Sequence, residues 1–239
     1  NIKILDPACG CGNFLVVADR ELRLLELEII RQIYSKELRA GQESFLGSDF
    51  HSRLDVDQMY GIEIEEFPVR VAELALWLTD HQMNQKLSEL IGYPCLRLPL
   101  KSSPRIVNGN ALTLDWETVI PKSKLTYILG NPPFIGSKVM SDQQRAEIVS
   151  LFAEKIGGGV LDYVSGWYLK AAQYIQDTDI NCALVSTNSV TQGEQVGILW
   201  KRLIEGSGIR IHFAHRTFKW TNEAIGKAAV YCVIIGFGL

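Results

Sequence analysis

The segment Gly130-Asn131-Pro132-Pro133-Phe134 closes an apolar run, 125–129, that reads as a buried strand. Each proline fixes its own φ and lacks an N–H, and the residue before a proline is kept out of the helical region. Asn131 is therefore held extended, so that its side-chain oxygen and the Pro132 carbonyl can converge on one donor group. A planar NH2 group, such as the exocyclic amine of a nucleobase, carries two such hydrogens, and Phe134 offers a face for its ring. The plain alternative is a proline turn that ends a core strand.

Three other strand ends offer complementary chemistry. Asp6 precedes a turn containing Gly10 and Gly12, and a glycine turn at a helix N-terminus lets backbone approach a ligand. Glu63 ends the next strand, where a carboxylate one βαβ step after a glycine turn can take both hydroxyls of a ribose. Asn110 follows the third strand and can pair with the edge of an adenine, with Ile64 and Leu112 on the two faces of the ring. Together these outline an adenosine pocket; taken singly, Glu63 is equally a solvated strand end and Asn110 a turn residue. Gly10-x-Gly12-x-x-Leu15 lacks the third glycine of the dinucleotide fingerprint, and Asp6 would repel a pyrophosphate. The same carboxylate suits a sulfonium. S-adenosylmethionine is therefore expected rather than NAD, with Asp6 and the glycine-loop backbone around its methionine part.

Positioning these groups takes strands that alternate with helices. Strands are expected at 2–5, 59–64, 105–107, 125–129, 182–186, 209–214 and 228–237. The helix over 13–39 carries the apolar stripe Phe14, Val17, Ala18, Leu22, Leu25, Ile29 and Ile33. A connection over 41–57 leads on, and Pro68 opens a second helix with the stripe Val71, Leu74, Ala75 and Leu78. Further helices are expected over 161–176 and 194–205. Residues 137–159 read as a polar loop hinged on the glycines at 157–159, and a late loop holds Phe218 and Trp220. The fold class is α/β, a mostly parallel seven-stranded sheet with helices on both faces and an antiparallel last strand.

Composition narrows the class further. With 47% hydrophobic and 21% charged residues the chain is of ordinary globular type, and no run approaches the ~20 apolar residues of a membrane span. No signal peptide is read at the start of the sequence. A net charge of −3 excludes a basic surface over the whole chain, so any DNA-reading surface is local or lies outside it. Cys9 and Cys11 have no second Cys/His pair at metal spacing, so no metal is expected, and five scattered cysteines suit a reducing cytoplasm. Oligomeric state is not legible.

The motifs Asp6-Pro7-Ala8-Cys9-Gly10-x-Gly12-x-Phe14, Gly61-Ile62-Glu63 and Asn131-Pro132-Pro133-Phe134, in that order, resemble the gamma class of restriction-modification amino-methyltransferases, mostly adenine-specific. The run Asp6-Pro-Ala-Cys-Gly-Cys-Gly-Asn-Phe-Leu, with Tyr60-Gly-Ile-Glu-Ile, looks most like the methyltransferase portion of MmeI-like fused enzymes. The resemblance implies a Rossmann-like S-adenosylmethionine-dependent methyltransferase fold. It implies cofactor contacts from Asp6, Pro7, Ala8, Cys9, Gly10, Gly12, Phe14, Glu63, Ile64, Asn110, Ala111 and Leu112. It assigns catalysis to Asn131, Pro132, Pro133 and Phe134, acting on an adenine flipped out of double-stranded DNA in a bacterial cytoplasm. Phe218 or Trp220 would cover the other face of that base, and Asp162-Tyr163 resembles a motif behind the cofactor.

On this resemblance residues 1–239 are one methyltransferase domain of a longer protein, without an N-terminal segment and a C-terminal target-recognition domain. Asn110 stands where many relatives carry Asp. Amino-methylation of cytosine or of a protein glutamine uses the same chemistry, and a silent DNA-binding or assembly module is the reading from a different class.

Overall fold

Short apolar runs ended by glycine, proline or a polar residue become strands here, and the long periodic segments between them become helices. In order these are β1 (Ile4–Asp6), α1 (Asn13–Arg39), β2 (Met59–Glu63), α2 (Glu66–Ile91), β3 (Arg105–Asn108), β4 (Tyr127–Gly130), α3 (Asp142–Phe152), α4 (Ser165–Tyr174), β5 (Asn181–Thr187), α5 (Glu194–Ser207), β6 (Arg210–Trp220) and β7 (Val230–Gly238). The computed structural model describes residues 2–39, 52–92, 94–95, 103–152, 160–220 and 230–239.

All seven strands join one sheet in the order β3-β2-β1-β4-β5-β7-β6. β1 pairs in parallel with both β2 and β4, and β7 runs antiparallel to β5 and to β6. Strand order reverses between β1 and β4, and in such sheets the crevice beyond the carboxyl ends at that reversal is where ligands sit. Asp6 and the glycine turn leave one of these two strands and Asn131 leaves the other. The two groups therefore emerge side by side at one end of the sheet.

The main core lies between the sheet and α4 and α5, with Leu5, Ile128, Tyr168, Leu169, Leu184, Leu199 and Phe237 all but inaccessible. A second core beneath α1 and α2 holds Leu15, Ala72 and Leu76. The expected stripes on these two helices need correction. On α2 the buried positions are Val69, Ala72, Leu76, Met83 and Leu87, while Leu74 and Leu78 are 60% and 54% exposed. On α1 the buried positions are Leu15, Asp19, Arg23 and Ile30, while Val17, Leu25, Ile29 and Ile33 are exposed.

The physical reason is a polar seam between the two helices. Arg23 Nη1 donates to Asp80 Oδ1 and to the Leu54 carbonyl, both at 3.1 Å, and Nη2 donates to Asn84 Oδ1 at 2.6 Å. A seam built from charged groups turns each helix away from its most apolar stripe.

Two further elements differ from expectation. Residues 142–152 of the expected polar loop are helix α3, whose buried residues Ile148 and Phe152 stand four apart on one face. With only two buried positions in a polar stretch, periodicity is too weak to announce it. The glycines at 157–159 lie outside the described residues. Phe218 and Trp220 belong to β6, which runs to Trp220 through two register shifts, instead of to a loop. Among the described residues no helix is long and apolar enough to cross a membrane.

Candidate active site

The turn after β1 is tied down by backbone. Ala8 N–H donates to Asp6 Oδ1 (3.0 Å), Cys9 N–H to the Ile62 carbonyl (3.1 Å) and Gly10 N–H to Glu63 Oε2 (3.0 Å). Gly10 and Gly12 have φ of +53° and +83°, a region that side chains with a Cβ enter at a cost. Their surroundings differ. A Cβ on Gly12 would stand 3.0 Å from Ala72 Cβ, whereas one on Gly10 would meet nothing within 4 Å. Gly12 thus serves the packing of α2 on the turn, and Gly10 leaves open space beside the ligand end.

Beyond this turn lies a cleft of about 380 Å³, within the size range of small-molecule sites. Pro7 and Ala8 line it from β1, Glu63 and Ile64 from β2, Asn110 and Ala111 from β3, and Asn131 and Pro133 from β4. With Tyr163, nine residues singled out in the sequence thus share one space. Asp6, Cys9, Gly10, Gly12, Phe14, Leu112, Pro132 and Phe134 do not line the cleft. Leu112 is buried where a Cβ on Gly166 of α4 would stand 2.9 Å from its Cδ2, so Ile64 alone of the two expected ring contacts faces the space.

Asp6 is 1% exposed and packs under Gly130, where an added Cβ would stand 2.7 Å from Asp6 Oδ1. Burial pushes its carboxyl up to about 7, offset in part by the Ala8 N–H and reinforced by the charge of Glu63. Burial, with the charges of Asp6 and Glu63 behind it, also pushes the Cys9 thiol up, which leaves it an inert packing group against Gly61. Glu63 accepts from Gly10 N–H with one oxygen and from Glu65 N–H (2.9 Å) with the other. A carboxylate has about four acceptor positions, so two remain for the cleft.

The decisive feature is Asn131. Its Oδ1 is buried and has no hydrogen-bond partner among the described residues. An amide oxygen left unpaired in a buried place costs about 1–3 kcal/mol, and such an orphan in a cleft marks a place kept for a donor.

Several lining residues escaped the sequence reading: Ile62, Gly109, Ile135, Gln144 and Trp167. Trp167 Nε1 donates to the Pro7 carbonyl (2.9 Å), and its ring meets Tyr163 edge-on at 5.2 Å. Asp162-Tyr163 is central to the back wall. Asp162 accepts from Ser137 N–H (2.9 Å) and from the Ser189 hydroxyl, and Tyr163 hydroxyl donates to Glu147 Oε2 (2.5 Å). A spacing of four between Tyr163 and Trp167 was the one available signal for the tryptophan. Gln144 sits on α3, which sequence reasoning missed altogether.

Phe218 pairs with Cys232 at the level of Thr187, so it stands at the cleft end of the sheet. It lies three strand spacings from β4, roughly 14 Å. The Trp220 side chain lies outside the described residues. Among those described, no group of three or more metal-binding side chains converges.

A sheet ordered 3-2-1-4-5-7-6 with an antiparallel seventh strand, a glycine turn after β1 and a cleft at the reversal is the Rossmann-like fold of S-adenosylmethionine-dependent methyltransferases. Comparison with known proteins narrows this class. The model of the MmeI DNA-methyltransferase domain matches residues 1–238, and the chain belongs to that family. DNA methyltransferase A of Bacillus subtilis (strain 168) is 43% identical over 241 residues, which is 99% of this chain and 26% of the relative. The Type IIL restriction-modification enzyme MmeI, whose structure was solved in complex with DNA, superimposes with a TM-score of 0.90 at 54% identity. That match covers 99% of this chain and 31% of the MmeI chain. The type IIG restriction endonuclease BpuSI shares the fold alone, with a TM-score of 0.57 at 14% identity over 99% of this chain and 22% of its own. The chain thus spans under a third of these relatives. It is a domain of the MmeI DNA-methyltransferase family.

Proposed function

We propose that this domain transfers a methyl group from S-adenosylmethionine to the exocyclic amino group of an adenine flipped out of double-stranded DNA. The unpartnered, buried Asn131 oxygen carries the reading, because Asn131 lines the same cleft as Glu63, Asn110, Pro7 and Ala8. The cleft volume, the spare acceptor positions of Glu63 and the open space beside Gly10 fit an adenosine-bearing cofactor. Glu63 would accept from the ribose, Asn110 and Ile64 would hold the purine, and Asp6 would lie behind the methionine end.

S-adenosylmethionine, when bound, supplies a methyl group on a positively charged sulfur. The task of the protein is to make a poorly nucleophilic amine react. Its lone pair is delocalised into the ring, and hydrogen bonds from the two N–H groups to Asn131 Oδ1 and the Pro132 carbonyl favour a pyramidal nitrogen. The new N–C bond forms as the methyl leaves sulfur, and the amine proton departs afterwards to water. Phe134, half-buried beside Pro133, is placed to stack on the extruded base, worth about 1–3 kcal/mol.

With a net charge of −3, target selection is assigned to a DNA-reading surface outside these residues, in a protein of the bacterial cytoplasm. The test is methylation of mixed-sequence duplex DNA by the intact protein with labelled S-adenosylmethionine, followed by nucleoside mass spectrometry. N6-methyladenine is the expected product. N4-methylcytosine would move the substrate assignment while keeping the mechanism, and absence of label in DNA would overturn the reading.

A further inference from the structure

Asn110 carries an amide, and an amide is ambiguous: turned one way it presents an acceptor to the cleft, turned the other a donor. Two neighbours remove the ambiguity. Leu112 N–H, which can only donate, donates to Asn110 Oδ1 at 2.9 Å. Asn110 Nδ2 donates to Glu147 Oε1 at 2.9 Å, and an ionised carboxylate can only accept. Glu147 also receives the Tyr163 hydroxyl on its other oxygen at 2.5 Å and Gln143 Nε2 at 3.2 Å. Burial and then Glu147 push the Tyr163 phenol well above its ordinary range, so it remains a donor. Three donors therefore hold one carboxylate in place, and that carboxylate holds the amide nitrogen against α3. The Asn110 oxygen keeps a second acceptor position, since a carbonyl-type oxygen has two lone pairs and Leu112 uses one.

We propose that Glu147 is a positioning residue that sets the polarity of the Asn110 amide and so makes the purine subsite select a 6-amino over a 6-oxo ring. The inference rests on the cofactor reading above, which places a purine beside Asn110. A 6-amino group donates to the Asn110 oxygen, whereas a 6-oxo group would meet that oxygen lone pair to lone pair. Asp at position 110 would need no such partner, because its two oxygens are equivalent; for Asn, Glu147 on α3 adds an acceptor for the nitrogen to the Leu112 N–H donor on the oxygen.

The experiment is calorimetric binding of S-adenosylhomocysteine and of its hypoxanthine counterpart, S-inosylhomocysteine, to the intact protein. The parent is expected to prefer the adenine form by at least tenfold, about the effect of one hydrogen bond. In Glu147→Ala, where Leu112 N–H alone still orients the amide, the preference should fall severalfold, through weaker S-adenosylhomocysteine binding and unchanged or tighter S-inosylhomocysteine binding. A Glu147→Ala protein that loses affinity for both ligands equally, with the ratio kept, would show a merely structural role and overturn the inference. The exchanged pair N110D/E147Q guards against a variant that fails to fold. It restores one amide and one carboxylate and should keep the preference for the adenine form, whereas N110D alone sets two carboxylates together and should bind both ligands poorly. Loss of preference in the exchanged pair counts against the inference. If the parent binds neither ligand, the cofactor reading itself falls and this inference with it.

Discussion

Two buried polar regions of this protein are built to opposite rules. Between α1 and α2 the Arg23 guanidinium meets Asp80, Asn84 and the Leu54 carbonyl, and Asn84 Nδ2 in turn donates to Asp80 Oδ2 at 2.8 Å. At the tips of β1 and β4, by contrast, Asn131 keeps an unpartnered oxygen and Asp6 is buried without a cationic partner within salt-bridge distance among the described residues. The first arrangement holds two long helices together. The second leaves electrostatic needs unmet in the folded protein and so favours whatever brings a donor or a positive charge. Buried polarity is thus read by its surroundings: charged groups that face one another across two helices support the fold, and an acceptor without a protein donor beside a cleft is the candidate for chemistry.

The sharpest way to break this contrast is Asn131→Ala. Methyl transfer should fall about 100- to 1000-fold, the usual cost of losing one charge-stabilising hydrogen bond in an active site. The melting temperature should stay level or rise, because an unsatisfied buried oxygen is removed. A fall in stability that matched the loss of activity would contradict the assignment of Asn131 to the open region.

Arg23→Met tests the closed region in the opposite sense. It strands Asp80 in a buried place and is expected to cost about 3–5 kcal/mol, read as a melting temperature lower by roughly 10 °C. Cofactor affinity measured well below that temperature should change little, since Arg23 is not among the residues of the cleft.

The two glycines of the first turn sharpen the comparison within a single loop. Gly12→Ala meets both a positive φ and α2 at Ala72, and should destabilise by about 1–3 kcal/mol in chemical denaturation. Gly10→Ala carries the backbone strain alone, about 1 kcal/mol, and should act more on S-adenosylhomocysteine affinity than on stability. The reverse ranking would mean that Gly10, not Gly12, is the packing glycine.

The last effect is expected from pH. Burial pushes the Asp6 carboxyl up to about 7, from an ordinary 3.8 in an unfolded chain, so folding takes up a proton between these values. The contribution is fully present below the lower value and is lost as pH rises through the upper one. Asp6→Asn should therefore flatten the fall in melting temperature between about pH 4 and pH 7. An unchanged slope would mean that Asp6 is not the group responsible.

Much of this architecture was legible in the residues themselves. Short apolar runs ending in Asp6, Glu63, Asn108 and Gly130 announced four parallel strands, and the glycine turn and Asn131-Pro132-Pro133 announced which ends border the cleft. These signals are local: a proline or a positive-φ glycine constrains its own backbone whatever surrounds it. The inward faces of α1 and α2 were not legible, because Arg23 and Asp80 are charged residues that enter the interior only as a pair, and pairing across 57 positions leaves no periodic trace. For the same reason α3, a helix with two buried apolar residues, went unseen, and with it the carboxylate that orients Asn110.

What the sequence determined alone was the class of fold and the reactive groups at its strand ends, since backbone preference and hydrophobic spacing act over a few residues. Only the tertiary structure decided which groups face the cleft, which stand behind it and which remain unpaired. Burial and hydrogen-bond completeness belong to neighbours far apart in the chain, and no short-range pattern records them.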